Sequence, residues 1–311
     1  MCGIASFFAK TPAMENQLGS LFVPMLTCLS DRGPDSAGFA VYRDQALEGT
    51  VKIVAQHPEV GFEWEGFFKP FGAVSLNVIA SHCVAVVPGQ PEIVRAKLEL
   101  AGVTVMCVGS SMEIFKEKGF PCDVMKMFQL ERAVGSHAIG HTRMATESAV
   151  STAGSHPFST GSDLCLAHNG SLSNHNSLRR NLRREGITFR TENDSEVAAG
   201  YLSWRLQSGD SLEAALEAAL RDLDGFFTFA IGTKDGFAVL RDPIACKPAV
   251  LAETDEYVAM ASEYRSLAHL PGIEEARIWE PEPARIYTWE KSKGTPSASS
   301  TATSISISLA A

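Results

Sequence analysis

Short apolar runs bounded by turn residues recur along this chain, and they limit its fold more than any other feature. GIASFFA at 3–9, FAVY at 39–42, SHCVAVV at 81–87, VTVMCVG at 103–109, FFTFAIGT at 226–233, FAVLRD at 237–242, AVLAE at 249–253 and YVAMASE at 257–263 are each too short for a stable buried helix. They are rich in β-branched and aromatic residues and flanked by Gly, Pro, Asp or Ser, and so predict strands. The Lys234-Asp235-Gly236 turn between two of them predicts a hairpin. Helices are predicted between such runs: near 17–30, over 174–185 closed by Gly186, from Asn193 to about 207, and over 211–222. Asn193 with Glu196, and Asp210 with Glu213, have capping-box spacing. Leu212, Leu216, Leu220 and Leu223 form the apolar stripe of the last helix.

Residues 50 to about 135 read as a distinct block. An apolar run, the helical stretch PEIVRAKLELAG and a second apolar run make a β-α-β pattern. Its turns carry neither G-x-G-x-x-G nor G-K-[ST], so no nucleotide site is expected there, and a docking or structural insertion is. The tail 291–311 holds ten Ser or Thr and is expected to be mostly disordered.

Charge narrows the partners. The 311 residues carry 27 Lys and Arg against 36 Asp and Glu, a net charge of −9, which argues against nucleic acid or an acidic membrane. No run approaches the roughly 18 apolar residues of a membrane span, and the start MCGIASFFAK lacks the basic region of a signal peptide, so a cytoplasmic protein is expected. Seven cysteines stand singly without C-x-x-C, which suits neither a disulfide framework nor a zinc or iron–sulfur site. Cys83, Cys107 and Cys165 lie in apolar runs and read as buried hydrophobes. The histidines His82, His137, His141, His156 and His168 fit no metal template, and no metal is expected. Arg179, Arg180, Arg183 and Arg184 read as a solvated helix face.

Cys2 carries the most chemical information. Removal of Met1 ahead of a small residue would leave Cys2 as the N-terminus, with thiol nucleophile and α-amine base in one residue. An α-amine with a reference pKa of about 7.7–8.0 can take the thiol proton directly or through one water.

Six segments occur with it in one order: MCGI, RGPDSAG at 32–38, GHTRMAT at 140–146, AHNGSLSN at 167–174, NDSE at 193–196 and RDPIACKP at 241–248. This set resembles the class II glutamine amidotransferases of the N-terminal-nucleophile (Ntn) hydrolases, over residues 2–43 and about 135–270. The resemblance implies an α+β fold, a four-layer αββα sandwich. The amidotransferase domain would span 2–290, with the 50–135 block inserted at its edge as an α/β segment. It also implies roles. Cys2 would attack the glutamine side-chain amide, Asn169 and Gly170 would form the oxyanion hole, Arg143 would clamp the α-carboxylate, and Asp194 would bind the α-ammonium. His141 and His168 read as scaffolding of their motifs. Met144 departs from the aromatic residue usual after the clamp arginine, and this bears on the floor of the glutamine pocket.

Too little chain follows Leu270 for a second active-site domain, so the acceptor chemistry is expected on another subunit. SSMEIFKEKGFP and the long insertion look like the stand-alone amidotransferase subunit of glutamate-synthase-like complexes, including N-methylglutamate synthase. In such a hetero-oligomer the partner synthase subunit carries FMN and the iron–sulfur centres, and this chain carries no cofactor. Two other readings stand beside this one: a catalytically silent regulatory or scaffold subunit, and a free-standing Ntn amidohydrolase acting on another amide.

Overall fold

The computed structural model describes residues 1–59, 61–145, 149–291 and 303–306. Its main sheet has seven strands in the order β14 (Arg277–Trp279), β12 (Val250–Glu253), β13 (Tyr257–Ala261), β1 (Gly3–Ala9), β8 (His137–Arg143), β2 (Ser36–Tyr42) and β7 (Met112–Lys118). A second sheet runs β16 (Thr303–Ser306), β15 (Arg285–Glu290), β11 (Gly236–Arg241), β10 (Gly225–Thr233), β9 (Cys165–Leu172). Every neighbouring pair in both sheets is antiparallel.

The two sheets stack face to face. Phe8 lies against Phe237 with ring centroids 5.8 Å apart, and the Tyr42 hydroxyl reaches Cys165 Sγ at 3.4 Å across the interface. The outer face of the main sheet is covered by α2 (Leu18–Thr27), entered through the short α1 (Pro12–Asn16), and by α5 (Pro121–Met127). The second sheet is covered by α6 (His175–Arg184), α7 (Asp194–Gln207) and α8 (Leu212–Asp222), whose Leu216, Leu220, Ala198 and Leu202 pack with Phe227, Phe229 and Leu240. Central strands such as β1, β2 and β8 are buried along their whole length. Continuous apolar runs follow from that, since a strand covered on both faces has no polar side to alternate with. The architecture is the expected α+β, four-layer αββα sandwich.

Both capping boxes predicted from spacing change in detail. Asn193 does cap α7, accepting from the Ser195 N–H at 2.9 Å. Glu196 does not reach back to residue 193; it takes the N–H groups of Arg190 and Thr191 instead. At α8 the cap is Ser211, which accepts from the Ala214 N–H at 3.1 Å, while Asp210 pairs with Arg205. Ser, Asp and Asn cap with similar energy, so spacing alone cannot choose between adjacent ones. The arginine run also divides. Arg180, Arg183 and Arg184 are exposed, but Arg179 is buried against Glu192, because it shares the inward face of α6 with Leu182.

The inserted block holds a third sheet, β4 (Ser75–Ile79), β5 (His82–Pro88), β3 (Thr50–Gln56), β6 (Thr104–Gly109), with α3 (Trp64–Phe68) and α4 (Pro91–Leu100). Strands β5 and β6 both run antiparallel to β3 from opposite sides. They are therefore parallel to each other, so the β-α-β pattern is a split unit with β3 between its strands. That sheet ends at Gly109. The remainder of the block turns back into the main body as β7 and α5. Asp163 clamps the turn between β6 and β7, accepting from the N–H groups of Ser110, Ser111 and Met112 at 2.6, 2.9 and 3.0 Å. In the Ser/Thr-rich tail, Thr303–Ser306 pair with β15, and residues 292–302 and 307–311 lie outside the described residues.

Candidate active site

Cys2 precedes β1, and the pairing of β1 with β8 sets Gly3 opposite Thr142. The end of β8 therefore lies beside the thiol. The Met144 N–H donates to Cys2 Sγ at 3.4 Å, and Sγ lies 3.6 Å from the Met144 carbonyl oxygen. What residue 144 supplies to the thiol is main chain, which any residue type provides; its side chain is substantially exposed.

The Cys2 carbonyl is held from two sides, by Arg32 Nε at 3.1 Å and Asn169 Nδ2 at 3.3 Å. Arg32 is itself paired with Glu263 at 2.5 Å. Ser262 Oγ accepts from the Ile4 N–H at 2.9 Å and from Asn169 Nδ2 at 3.2 Å. Arg32, Ser262 and Glu263 are thus site residues that were not singled out from the sequence. Arg32 lies inside the RGPDSAG segment, where position alone could have marked it. Ser262 and Glu263 sit at the end of an ordinary strand run and carry no local signal.

Asn169 lies on β9 with its amide oriented from behind. His141 Nε2–H donates to Asn169 Oδ1 at 3.1 Å, which leaves Nδ2 facing residue 2. Burial pushes His141 down to about 3, so the imidazole is neutral and has one N–H to give. His168 is likewise lowered by burial, against the opposing pull of Asp194. Gly170 has φ +151°, and a Cβ there would lie 2.0 Å from the Phe226 carbonyl oxygen and 2.6 Å from His168 Nε2. Only glycine fits. The neighbouring RDPIACKP segment buttresses this corner, with Asp242 accepting from the Phe227 and Ile244 N–H groups at 2.8 Å each.

Arg143 ends β8 and is 6% exposed, with Nη1 3.5 Å from the Ala149 carbonyl. Its strand end is pinned by Asp35, whose N–H donates to the Arg143 carbonyl and whose Oδ2 accepts from the Ala145 N–H at 2.7 Å. A Cβ at Gly33 would come within 2.3 Å of the Thr142 main chain, so this close approach also needs glycine. Asp194 is the first residue of α7. Its Oδ2 accepts from the Leu172 N–H at 2.9 Å and its Oδ1 from the Ser195 hydroxyl at 3.2 Å. The structure thus brings Cys2 and Asn169 into direct contact, with Gly170 next in the chain. It sets Arg143 at the end of a main-sheet strand and Asp194 beyond β9 of the second sheet.

Three of the other thiols differ from Cys2 in burial. Cys83, Cys107 and Cys165 are buried, and burial pushes each up to about 12, so they stay protonated. Three further histidines pack as core groups: His82 edge-on to Phe128 at 4.7 Å, His137 stacked on Tyr42 at 4.0 Å, and His156 stacked on His141 at 4.0 Å. Among the described residues, no helix is long and apolar enough to cross a membrane.

Comparison with known proteins supports a glutamine amidotransferase. A glutamine amidotransferase domain model matches residues 141–269. The chain is 55% identical over 300 residues to the glutamine amidotransferase-like protein GlxB of Rhizobium meliloti, covering 94% of this chain and 99% of that one. It is 33% identical over 304 residues to a putative glutamine amidotransferase of Methanothermobacter thermautotrophicus, covering 92% and 99%. In fold it is similar to the glutamine phosphoribosylpyrophosphate amidotransferase of B. subtilis, with a TM-score of 0.63 at 20% identity over 99% of this chain and 50% of that one. With the Ntn-hydrolase sandwich in place and full-length relatives of this kind, the chain belongs to the class II glutamine amidotransferases.

Proposed function

We propose that this chain is a glutaminase subunit that hydrolyses the glutamine side-chain amide through a Cys2 thioester and passes ammonia to a partner synthase. The observation that carries the reading is the contact of the Asn169 amide with the main chain of Cys2, whose thiol meets the Met144 main chain beyond β8, with Gly170 next in the chain to Asn169. In this reading Met1, which is 67% exposed, is removed, so that the Cys2 nitrogen becomes a free amine. That amine takes the thiol proton as sulfur attacks the amide carbon. In this reading the developing oxyanion is met by the Gly170 N–H and by Asn169 Nδ2, which exchanges its bond to the Cys2 carbonyl for one to the substrate oxygen. The proton then goes to the leaving nitrogen, ammonia departs, and water attacks the thioester to release glutamate. Arg143 offers a planar fork to the α-carboxylate, and Asp194 a carboxylate to the α-ammonium.

The acceptor chemistry belongs, in this proposal, to a synthase subunit of glutamate synthase or N-methylglutamate synthase type in a cytoplasmic hetero-oligomer. FMN and iron–sulfur centres reside on that subunit. Among the described residues no group of three His, Cys, Asp or Glu side chains is placed to hold a metal ion. Internal transfer of ammonia avoids its protonation in solvent. The test is purification from the native source, with glutaminase turnover measured on the isolated chain and on the complex. A co-purifying flavoprotein that raises turnover, with little free ammonia escaping when acceptor is supplied, is the expected result. Full activity of the chain alone would instead favour the free-standing amidohydrolase, and no turnover in either form the silent subunit.

A further inference from the structure

A cleft of about 300 Å3 separates α4 of the inserted sheet from the 186–196 segment that leads into α7. None of the residues assigned to glutamine chemistry lines it. Arg95 of α4 and Arg190 of the facing segment do, with Ser159, Thr160 and Ser162 along the floor. The Arg95 side chain is 15% exposed, and its Nη2 is fully buried without a hydrogen-bond partner. One carboxylate serves both guanidinium groups. Glu99 Oε1 lies 3.9 Å from Arg95 Nη1 and 3.8 Å from Arg190 Nη1, beyond hydrogen-bond distance for either. Burial and the neighbouring Arg190 charge push Arg95 down to about 10, the mark of a cation short of acceptors.

The other charged groups of the cleft do not close this deficit. Glu196 is engaged by the N–H groups of Arg190 and Thr191 and by the Thr191 hydroxyl. Glu92, in the first turn of α4, also lines the cleft, but it is exposed to solvent, which screens its charge. Lys116, in the small adjoining cavity, donates to the carbonyls of Ala153, Ser155 and Pro157, and burial pushes it down to about 7, so it adds little charge near neutral pH. An oxyanion placed between Arg95 Nη1 and Arg190 Nη1 would give both guanidinium groups the charge-assisted bonds that Glu99 is too distant to make.

We propose that this cleft binds a small metabolite bearing a carboxylate or phosphate group, held by Arg95 and Arg190 and surrounded by the hydroxyl-lined floor. Its volume admits a compact molecule and excludes a dinucleotide. The test is calorimetric titration of the full chain with inorganic phosphate and, separately, with succinate, each against sodium chloride of equal ionic strength. Saturable binding of one of them at millimolar concentration or below is expected, and the two arms tell phosphate from carboxylate. Arg95→Gln and Arg190→Gln should each weaken it about tenfold or more, while Cys2→Ala leaves it unchanged. Should Arg95→Gln fail to fold by circular dichroism, the more exposed Arg190→Gln carries the comparison. Absence of saturable heat with both anions, or undiminished binding to Arg190→Gln, overturns the proposal.

Discussion

His141 donates from Nε2 to Oδ1 of Asn169 at 3.1 Å, and this bond decides which end of the Asn169 amide faces Cys2. The two residues lie on different sheets of the sandwich, so the Asn169 amide is oriented across the interface between them. Asn169→Ala should lower kcat by roughly 10²–10³, the cost of one oxyanion donor, with little change in KM. His141→Phe should lower kcat less, by letting the amide rotate. Steady-state glutaminase kinetics separate the two effects, and a change confined to KM in Asn169→Ala would refute the assignment.

Cys2→Ala should abolish glutamine hydrolysis while leaving the melting temperature close to that of the parent chain, because the thiol is a partly exposed group making weak bonds. Intact mass of active protein should begin at Cys2. Retention of Met1 in active enzyme would be incompatible with an α-amine base.

Arg143→Lys and Asp194→Asn should act mainly on glutamine binding, since the first removes a bidentate fork and the second a charge. Raised KM with kcat largely kept is the expected pattern. Asp194→Asn also disturbs the bond to the Leu172 N–H, so its melting temperature should be measured alongside.

Acid should unfold the protein early. Burial pushes His82, His137 and His141 down to about 3, against about 6.5 for an exposed histidine. Between those values the unfolded chain binds protons that the folded chain refuses, so stability is full above pH 6.5 and is lost as pH falls through this window. Each histidine contributes up to about 1.4 kcal/mol per pH unit there. Denaturant titrations from pH 7 to 5 should show the loss, and His82→Phe should make it shallower. An unchanged slope in that variant would count against the account.

Asp163→Ala should destabilise the chain by about 3 kcal/mol, since it strips acceptors from the Ser110, Ser111 and Met112 N–H groups at the junction of the inserted sheet. Hydrogen exchange should locate the loosening at residues 110–112. Protection there equal to that of the parent would show that the clamp is not needed.

Local pattern was enough to place much of this molecule. The hairpin of β10 and β11, the helix ended by Gly186 and the stripe of Leu216, Leu220 and Leu223 all follow from periodicity and turn residues, because each depends on neighbours within a few positions. The order of the motifs around Cys2, Arg143, Asn169, Gly170 and Asp194 likewise pointed to one chemistry before any contact was visible. Spacing could not choose Ser211 over Asp210 as a cap, nor show that Arg179 turns inward, since both choices depend on what packs outside the helix. It could not split the 50–135 block at Gly109, because β7 looks like any other short strand until it meets β2. Tertiary structure alone brought Ser262 to Asn169, and Glu263 to the Arg32 that holds the Cys2 carbonyl. The pairing of β1 with β13 closes a separation of more than 250 residues, and no local pattern encodes which distant strand a given strand will meet.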